Sequence, residues 1–251
     1  MIQKLKDLLP SLGEDYPGIN LERLSQEFDK FKGSFDEFRQ ELKTTRPLEY
    51  INKSAYFYNS EIYVDERVLI PRFETEILVE QALKIQAKDI LEVGCGSGAI
   101  SKALMIESKG NKNLTVSDIS QDAINVSKIN LKDYQVQYIL SDKFKKIHQT
   151  YDLIISNPPY IKNSQKVDVH PAVVKYEPEI ALFITDKEHD FWFKDFFLGA
   201  KRSLNAKGSL LMEGHEHNLD ELSHLAKKLG FKNIECIKDL TGRDRVLRMR
   251  I

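Results

Sequence analysis

The chain has 251 residues, of which 41% are hydrophobic and 30% are charged, and its formal net charge is −1. This length allows one large or two modest domains with an ample buried core. The even charge balance disfavours a protein that binds duplex DNA, without excluding a small folded RNA as substrate. Apolar runs stay well short of the roughly 18 residues that cross a membrane, and the N-terminus lacks the apolar core of a signal peptide. We therefore expect a cytoplasmic protein with no membrane segment. Cys95 and Cys236 are too few for a disulfide framework and lack metal-ligand spacing.

Hydrophobic residues at helical spacing predict three short helices at the start of the chain. Asn20 is placed to cap the second helix, and Ser34 with Glu37 forms a capping box that opens the third. The apolar positions are Ile2, Leu5, Leu8, Leu9, Leu12, Leu21, Leu24, Phe28, Phe31, Phe35, Phe38 and Leu42. We expect an N-terminal helical bundle over residues 1–50. The pattern fits a bundle that packs on the main domain as well as one that binds a partner.

A hairpin is predicted over residues 51–70, where it connects the two domains. Its strands are Ala55–Tyr58 and Glu61–Val64, on either side of Asn59 and Ser60. A helix is predicted next, from Arg72 to Ile85. Its apolar stripe is formed by Ile77, Leu78, Gln81, Ala82 and Ile85.

Strands and helices alternate through most of residues 71–251. The predicted strands are 89–93, 114–118, 136–140, 151–156, 208–213, 232–238 and 244–250. The predicted helices after the first are 98–108, 120–131, 188–204 and 218–229. This order predicts an α/β domain with a mostly parallel, doubly wound sheet and an antiparallel strand near its end. The stretch from Ile161 to Lys187 has little periodicity, and a loop of this length beside a site is typically a lid or a substrate clamp.

A glycine-rich turn follows the first strand of this domain. The strand Asp89–Val93 runs directly into Gly94-Cys95-Gly96-Ser97-Gly98, and apolar residues then recur at helical spacing. Strand, glycine turn and helix is the arrangement in which a nucleotide-like ligand approaches the backbone closely. The spacing differs from the GxGxxG of dinucleotide enzymes, which disfavours a pyrophosphate ligand. Taken alone, a plain tight turn remains an alternative.

Two acidic residues end the next two strands. Asp118 comes about 20 residues after the glycine turn, where a carboxylate can accept hydrogen bonds from both hydroxyls of a ribose. Asp142 follows the strand 136–140, where it can accept a hydrogen bond from an adenine amino group, and Lys143 comes next. Each acid alone could be an ordinary strand-end residue, but both in register favour a nucleoside site.

The fourth strand ends in Asn157-Pro158-Pro159-Tyr160 after the apolar run Ile154-Ile155. The two prolines fix φ and remove two backbone donors, which leaves the Asn157 side-chain oxygen and the Pro158 carbonyl as acceptors beside the Tyr160 ring. A planar group that carries an NH2 can donate to both oxygens and lie against the ring. We hypothesise that this orients the nitrogen lone pair for alkylation. A proline-rich loop without such a role is the alternative.

In this order, the motifs resemble those of the Rossmann-like, class I S-adenosylmethionine-dependent methyltransferases. The segments Val68–Glu76, Arg46–Ile51 and Tyr176–Leu182 narrow the resemblance to the release factor glutamine methyltransferases, which are N5-glutamine protein methyltransferases. The similarity extends from about Arg46 to the end of the chain. It is much more specific than the Asn-Pro-Pro-Tyr motif alone, which enzymes that methylate nucleic-acid bases share.

The resemblance implies an S-adenosyl-L-methionine cofactor and, as partner and substrate, a peptide-chain release factor whose Gly-Gly-Gln loop is methylated on the glutamine N5. It implies docking of that substrate by the N-terminal bundle. The implied catalytic residues are Asn157, Pro158 and Tyr160. The implied substrate-binding residues are these three with Pro159, Phe73 and Glu177. The implied cofactor-binding residues are Glu92, Gly94, Cys95, Gly96, Ser97, Gly98, Asp118, Asp142, Lys143 and Asn157. The sequence shows no long apolar stripe that demands a partner, so we expect a monomer.

The chain departs from the family pattern at four places. Phe73 stands where the family usually has proline, Lys53 lies near a usual glycine, and Lys143 follows the adenine-side acid where an aromatic residue is common. The segment Asp186–Asp190 replaces a usual Asp-Gly. These departures affect the expected substrate side more than the reaction.

Three alternatives to release-factor methylation remain at this stage. The same chemistry on a ribosomal-protein glutamine is the nearest, and methylation of adenine N6 in a nucleic acid is disfavoured by the charge and by the segments named above. A non-enzymatic sensor of an adenosyl ligand is disfavoured, because binding of the ligand alone does not require the acceptors of the Asn-Pro-Pro-Tyr motif. The run His215-Glu216-His217 is interpreted as a solvated loop, because a metal pair there lacks a third ligand.

Overall fold

Four short α-helices precede the first strand in the computed structural model, which describes residues 1–251 apart from the side chain of Glu14. They are α1 (Ile2–Leu8), α2 (Leu21–Lys30), α3 (Phe35–Leu42) and α4 (Leu48–Asn52). The predicted caps are present: the Asn20 side chain accepts the Arg23 N–H at 2.8 Å, and Ser34 and Glu37 form a reciprocal capping box. Helix α4 was not predicted from the sequence. It ends at Asn52, and the next residue, Lys53, adopts φ 54° in the left-handed region.

The helical region has its own small core, and a hairpin follows it in the chain. Its buried side chains are Leu5, Leu12, Tyr16, Leu24, Phe38, Leu42 and Leu48. The hairpin of β1 (Ala55–Phe57) and β2 (Ser60–Ile62) turns at Tyr58 and Asn59, both with positive φ. The predicted turn at Asn59 and Ser60 is therefore wrong by one residue, since Ser60 already pairs with Phe57. A two-residue turn with positive φ at both positions matches the twist of a hairpin.

Seven strands form the main sheet, in the order β10-β11-β9-β6-β3-β4-β5. Their bounds are β3 (Asp89–Val93), β4 (Asn113–Asp118), β5 (Val136–Leu140), β6 (Tyr151–Ser156), β9 (Leu204–Glu213), β10 (Lys232–Lys238) and β11 (Asp244–Arg250), while β7 (Ile161–Lys162) and β8 (Phe183–Ile184) form a separate parallel pair. Every pairing in the main sheet is parallel except those of β11, which is antiparallel to both neighbours. The predicted doubly wound fold is confirmed.

Helices cover both faces of the main sheet. They are α5 (Glu76–Leu83), α6 (Ala99–Glu107), α7 (Gln121–Asn130), α9 (His189–Arg202) and α10 (Leu219–Lys228), while the short α8 (Pro171–Tyr176) lies in the segment between β7 and β8. Alternate residues of β6 enter different cores: Leu153 and Ile155 pack with α5, α6 and α7, whereas Ile154 packs with α9 and α10. Strands buried on both faces are typically continuous apolar runs, which is how β6 reads in the sequence.

Two predicted elements differ in detail. The helix expected from Arg72 begins instead as a 3-10 turn at Phe73–Thr75, and α5 proper starts at Glu76. The stretch Ile161–Lys187, expected to be a long loop, contains β7, β8, α8 and two short 3-10 turns. Among the described residues, none of the helices combines the length and the apolar character needed to span a membrane.

Strand β3 lies inside the sheet, with β4 on one side and β6 on the other. In a parallel sheet, the crevice outside the carboxyl ends at such a reversal of strand order is where ligands bind. The glycine turn follows β3, Asp118 ends β4, Asp142 follows β5 and Asn157 follows β6. The topology therefore brings the four predicted motifs to one edge of the sheet.

Candidate active site

A cleft of about 1130 Å³, partly open to solvent, lies at this edge. Most of the predicted site residues border it: Glu92, Gly94, Cys95, Gly96, Ser97, Asp118, Asp142, Lys143, Asn157, Pro158 and Pro159. The sequence motifs thus converge on one cavity, although they span more than sixty positions of the chain.

The glycine turn exposes its backbone to the cleft. Gly94 and Gly96 adopt φ of 75° and 50°, and a Cβ added at either would meet no atom within 4 Å. A ligand can therefore approach the chain here more closely than any side chain would allow. Gly98 differs, because a Cβ there would lie 3.1 Å from Cβ of Ser127 in α7. Its glycine lets α6 pack against α7, and its cofactor contact stays a prediction.

Asp118 holds the glycine turn in place. Its carboxylate accepts the Gly96 N–H at 3.0 Å and the Ser120 N–H at 2.9 Å. Burial raises the pKa of this carboxyl, and the backbone hydrogen bonds oppose the rise. A carboxylate has about four acceptor positions, so Asp118 retains capacity for the ribose hydroxyls expected of it.

Glu92 lies beneath the turn and is only 2% exposed. It accepts the Ser101 N–H at 3.1 Å and also the Ser101 hydroxyl, so it caps the first turn of α6. Burial raises the pKa of Glu92 to about 8. Cys95 is buried as well, and burial raises the pKa of its thiol, which is the opposite of what a reactive cysteine requires.

Charged side chains surround the Trp192 ring where Asp142 and Lys143 border the cleft. Asp142 pairs with Lys145 at 2.6 Å, and the Lys143 ammonium lies 3.0 Å from Asp195 and 5.1 Å from the centroid of the Trp192 ring. Trp192 and Phe196 of α9 both border the cleft. Sequence reasoning missed them. Their spacing of four on a helix was the available signal, but it does not say which face meets the cavity.

A second pocket of about 670 Å³ adjoins the cleft. It is lined by Leu69, Arg72, Asn157, Pro158, Tyr160, Ile161, Val169, Val173, Ala181 and Leu182. Five of these residues also border the cleft: Leu69, Arg72, Asn157, Pro158 and Ala181. The two cavities therefore meet at the residues that were predicted to seat an amine or amide.

The orientation of Asn157 is set by Thr75. The Asn157 Nδ2 donates to the Thr75 hydroxyl oxygen at 3.1 Å, across 82 positions of sequence. This contact commits the amide nitrogen of Asn157 and leaves its Oδ1 as an acceptor. Thr75 lies inside the segment that carried the family resemblance, yet sequence reasoning assigned it no role.

The other predicted substrate residues lie at different depths. The Tyr160 hydroxyl is 3.5 Å from Oε1 of Glu213, and burial raises the pKa of this tyrosine. Glu177 is buried, and it accepts the Ile70 N–H at 3.1 Å and pairs with Arg72 at 2.7 Å. These contacts hold the segment around Ile70 and Arg72 in place, and Arg72 is part of the wall that the two cavities share. Phe73 is 73% exposed beside that wall. The substrate contacts of Phe73, Tyr160 and Glu177 stay predictions.

The described residues contain no cluster of His, Cys, Asp or Glu suited to a metal ion. His215 and His217 face each other with ring centroids 5.0 Å apart, and His215 lies near Tyr160. His189, at the start of α9, is buried against Phe193.

The residues present fit an adenosyl cofactor. Gly94 and Gly96 leave space against the backbone, and Asp118 and Asp142 border the same cleft with carboxylates that can accept hydrogen bonds from a nucleoside. Their contacts with the ribose and the adenine stay predictions. Acidic and acceptor groups also suit a cofactor that carries a sulfonium charge.

Comparisons with known proteins agree with this geometry. The family model described as "Methyltransferase small domain" matches residues 69–179. A release factor glutamine methyltransferase of Flavobacterium psychrophilum is 33% identical over 83% of this chain and 77% of its own, and one of Streptococcus pneumoniae is 35% identical over 84% and 77%. A methyltransferase structure from Pyrococcus furiosus superposes with a TM-score of 0.55 at 19% identity, covering 75% of this chain and 86% of that one. This likeness supports the class I methyltransferase fold.

Proposed function

Because the chain belongs to the release factor glutamine methyltransferase family, we propose that it methylates the glutamine side-chain amide (N5) in the Gly-Gly-Gln loop of peptide-chain release factors. The methyl donor is S-adenosyl-L-methionine, the cofactor of this class of enzymes. The observation that carries the proposal is the junction of the cofactor cleft and the second pocket at Asn157 and Pro158. Methyl transfer requires both ligands to meet at one point.

The cofactor supplies a methyl group already activated on a sulfonium, so the protein's task is to present a poor nucleophile correctly. Gly94, Gly96, Asp118 and Asp142 would hold the adenosyl part. Asn157 Oδ1 and the Pro158 carbonyl accept the two amide hydrogens of the substrate glutamine, which turns the nitrogen lone pair toward the methyl. Once bound, the cofactor would supply the methyl group to this nitrogen, and the methylated amide would lose one proton to water.

The acceptor pair also favours the transition state over the ground state. Positive charge develops on the amide nitrogen as the bond forms, and oxygen acceptors on its hydrogens stabilise that charge. Tyr160 closes the substrate side of the seat, where its ring is fixed by core packing and by the Glu213 contact. Phe73 is placed to contact the protein substrate because its ring is exposed beside the wall.

The substrate is itself a folded protein, so it needs a docking surface beyond the seat. The segment from Ile161 to Lys187 reaches the helical region: the Tyr176 hydroxyl donates to the Thr44 carbonyl, and Lys175 Nζ donates to the same oxygen at 3.3 Å. We assign this joined surface to release-factor docking. The domain bounds 1–50, 51–70 and 71–251 belong to the same proposal, as do monomeric action and a cytoplasmic location.

The test is transfer of label from S-adenosyl-L-methionine to purified release factors, with fragment mass spectrometry. Loop Gln→Ala variants of the release factors, a ribosomal protein and adenine-containing duplex are assayed in parallel. Label on the loop glutamine that disappears in the variant supports the proposal. Label on the ribosomal protein or on the duplex instead overturns the substrate, and binding of cofactor without transfer to any of these overturns the activity.

A further inference from the structure

A buried carboxyl group lies directly behind the acceptor seat and has no part in the reaction as described so far. Glu213 ends β9, next to β6, where Ser156 pairs with Met212. The residue is 1% exposed, and its Oε2 makes no hydrogen bond although it is fully buried. An unsatisfied buried carboxylate oxygen is costly, so this position calls for an explanation.

Two hydroxyl groups face the Glu213 carboxyl. The Tyr160 hydroxyl is 3.5 Å from Oε1. The Thr75 hydroxyl is close enough to lower the pKa of the carboxyl, and its oxygen already accepts from Asn157 Nδ2. Thr75 therefore stands between Glu213 and Asn157, with one hydrogen to donate and one amide hydrogen accepted.

The direction of these hydrogen bonds follows from the chemistry of the groups. An ionised carboxylate can only accept, so the Thr75 hydroxyl is the donor in any hydrogen bond between Thr75 and Glu213. The hydroxyl oxygen is then an acceptor toward Asn157, which must present its NH2 group. Oδ1 of Asn157 is left for the substrate. If Glu213 is protonated it donates to Thr75, the Thr75 hydroxyl is free to donate to Oδ1, and the Asn157 amide loses its fixed orientation.

We propose that Glu213, acting through Thr75, is a positioning residue that keeps the Asn157 side-chain oxygen turned toward the substrate amide. This role rests on the proposed methyl transfer, because it concerns the same seat. It gives the buried carboxyl an effect on kcat without any contact with substrate or cofactor.

The surroundings of Glu213 set the pH range of the effect. The titratable and charged groups that face it are Tyr160, Arg245 of β11 and Glu74 of the turn before α5. Burial raises the pKa of Glu213 to about 7, although Thr75, Arg245 and Tyr160 oppose the rise. The ionised, orienting form therefore gains population as the pH rises through about 7, and kcat rises with it.

The experiment compares kcat, KM and pH profiles of wild type, Glu213→Gln, Thr75→Val and Thr75→Ser with a release factor as substrate. We expect Glu213→Gln and Thr75→Val to lower kcat about tenfold, with KM for the release factor and cofactor affinity within about threefold. Glu213→Gln loses the rise of kcat near pH 7, and Thr75→Ser, which keeps the hydroxyl, restores wild-type behaviour. Thr115→Val is the matched control, since it removes a buried threonine hydroxyl of β4 that faces Gln137 and lines neither of the two cavities.

A second measurement tests the interaction of Glu213 with Thr75 independently of the identity of the substrate. The Glu213 carboxyl is titrated by infrared difference spectroscopy, with Glu213→Gln as the reference. Loss of the Thr75 donor raises the pKa of the carboxyl in Thr75→Val. An unchanged titration, or kcat of both variants within twofold of wild type with the pH profile retained, overturns the inference. Failure of wild type to methylate any release factor overturns the proposed function instead.

Discussion

Asn157 is the side chain on which the proposed chemistry depends most directly, because it supplies one of the two acceptors. Asn157→Ala removes that acceptor and leaves the cleft otherwise intact. We expect kcat to fall by about 10²–10³-fold, the range for loss of one preorganised polar group. Isothermal titration should show cofactor affinity changed by less than about threefold. Methylation within a few-fold of wild type would contradict the seat.

Lys53 occupies a position that the backbone makes expensive. It follows α4 with φ 54°, and a non-glycine residue in this region costs about 1–2 kcal/mol. We expect Lys53→Gly to raise the free energy of unfolding by about 1 kcal/mol, measured by urea denaturation. Lys53→Ala keeps the Cβ and is the control; equal stabilisation by both variants would show that the lysine side chain, and not φ, is responsible.

The residues found from the sequence and those missed differ in how their positions are determined. The glycine turn, Asp118, Asp142 and Asn157 each follow a recognisable strand, and the rule that parallel strands end at one edge brings them together. Thr75 and Glu213 act on Asn157 from 82 and 56 positions away. Their contact depends on the pairing of β9 with β6 and on the entry angle of α5, which no local pattern encodes.

Among the elements, helix α9 brings the chain's single tryptophan to the cofactor cleft. Lys143 stands where an aromatic residue is common in the family, and its ammonium is held against the Trp192 face. We expect Trp192 to supply the aromatic contact for the adenine. Cofactor binding should then change the intrinsic fluorescence, and Trp192→Ala should weaken cofactor affinity by about three- to tenfold.

The neighbouring Phe191 provides the control for this prediction. It lies on the same helix but is 73% exposed, so Phe191→Ala should leave cofactor affinity unchanged. Equal affinities of the Trp192→Ala variant and wild type would show that the adenine is held by other groups.

Elements with strong local signals were predicted well and short ones were not. Helices α2 and α3 begin at side-chain caps that the sequence displays. Helix α4 has five residues and follows a proline, which is too short for a periodic pattern. The predicted position of the hairpin turn is wrong by one residue for a related reason. Tyr58 is a residue type that favours strands, but the structure places it in the turn with positive φ.

At the scale of the whole molecule, two buried acids make stability depend on pH. Glu92 has a pKa of about 8 and Glu213 of about 7, both above the ordinary value of 4.5. The folded state therefore keeps protons that the unfolded state releases between about pH 5 and 8. Because the folded state binds more protons there, the free energy of unfolding falls as the pH rises through this window.

Glu92→Gln isolates one of these contributions. The variant has no proton to lose at this position, so its unfolding free energy should fall less between pH 5 and 8 than that of wild type. Each unit of pKa difference corresponds to about 1.4 kcal/mol, and we expect the two curves to diverge by more than about 1 kcal/mol in urea titrations of the cofactor-free protein. Parallel curves would show that Glu92 ionises in the folded state as it does in the unfolded one.

The two cavities share lining residues, and this arrangement determines whether both ligands can be bound at the same time during turnover. Each cavity is partly open to solvent, and each has residues that the other lacks. Donor and acceptor can therefore be present at once, and neither has to leave before the other enters. The lines of reciprocal initial-rate plots should intersect, as expected when enzyme, cofactor and release factor form a ternary complex. Parallel lines would indicate that the methyl group first passes to the enzyme. The demethylated cofactor should compete with the donor but not with the release factor.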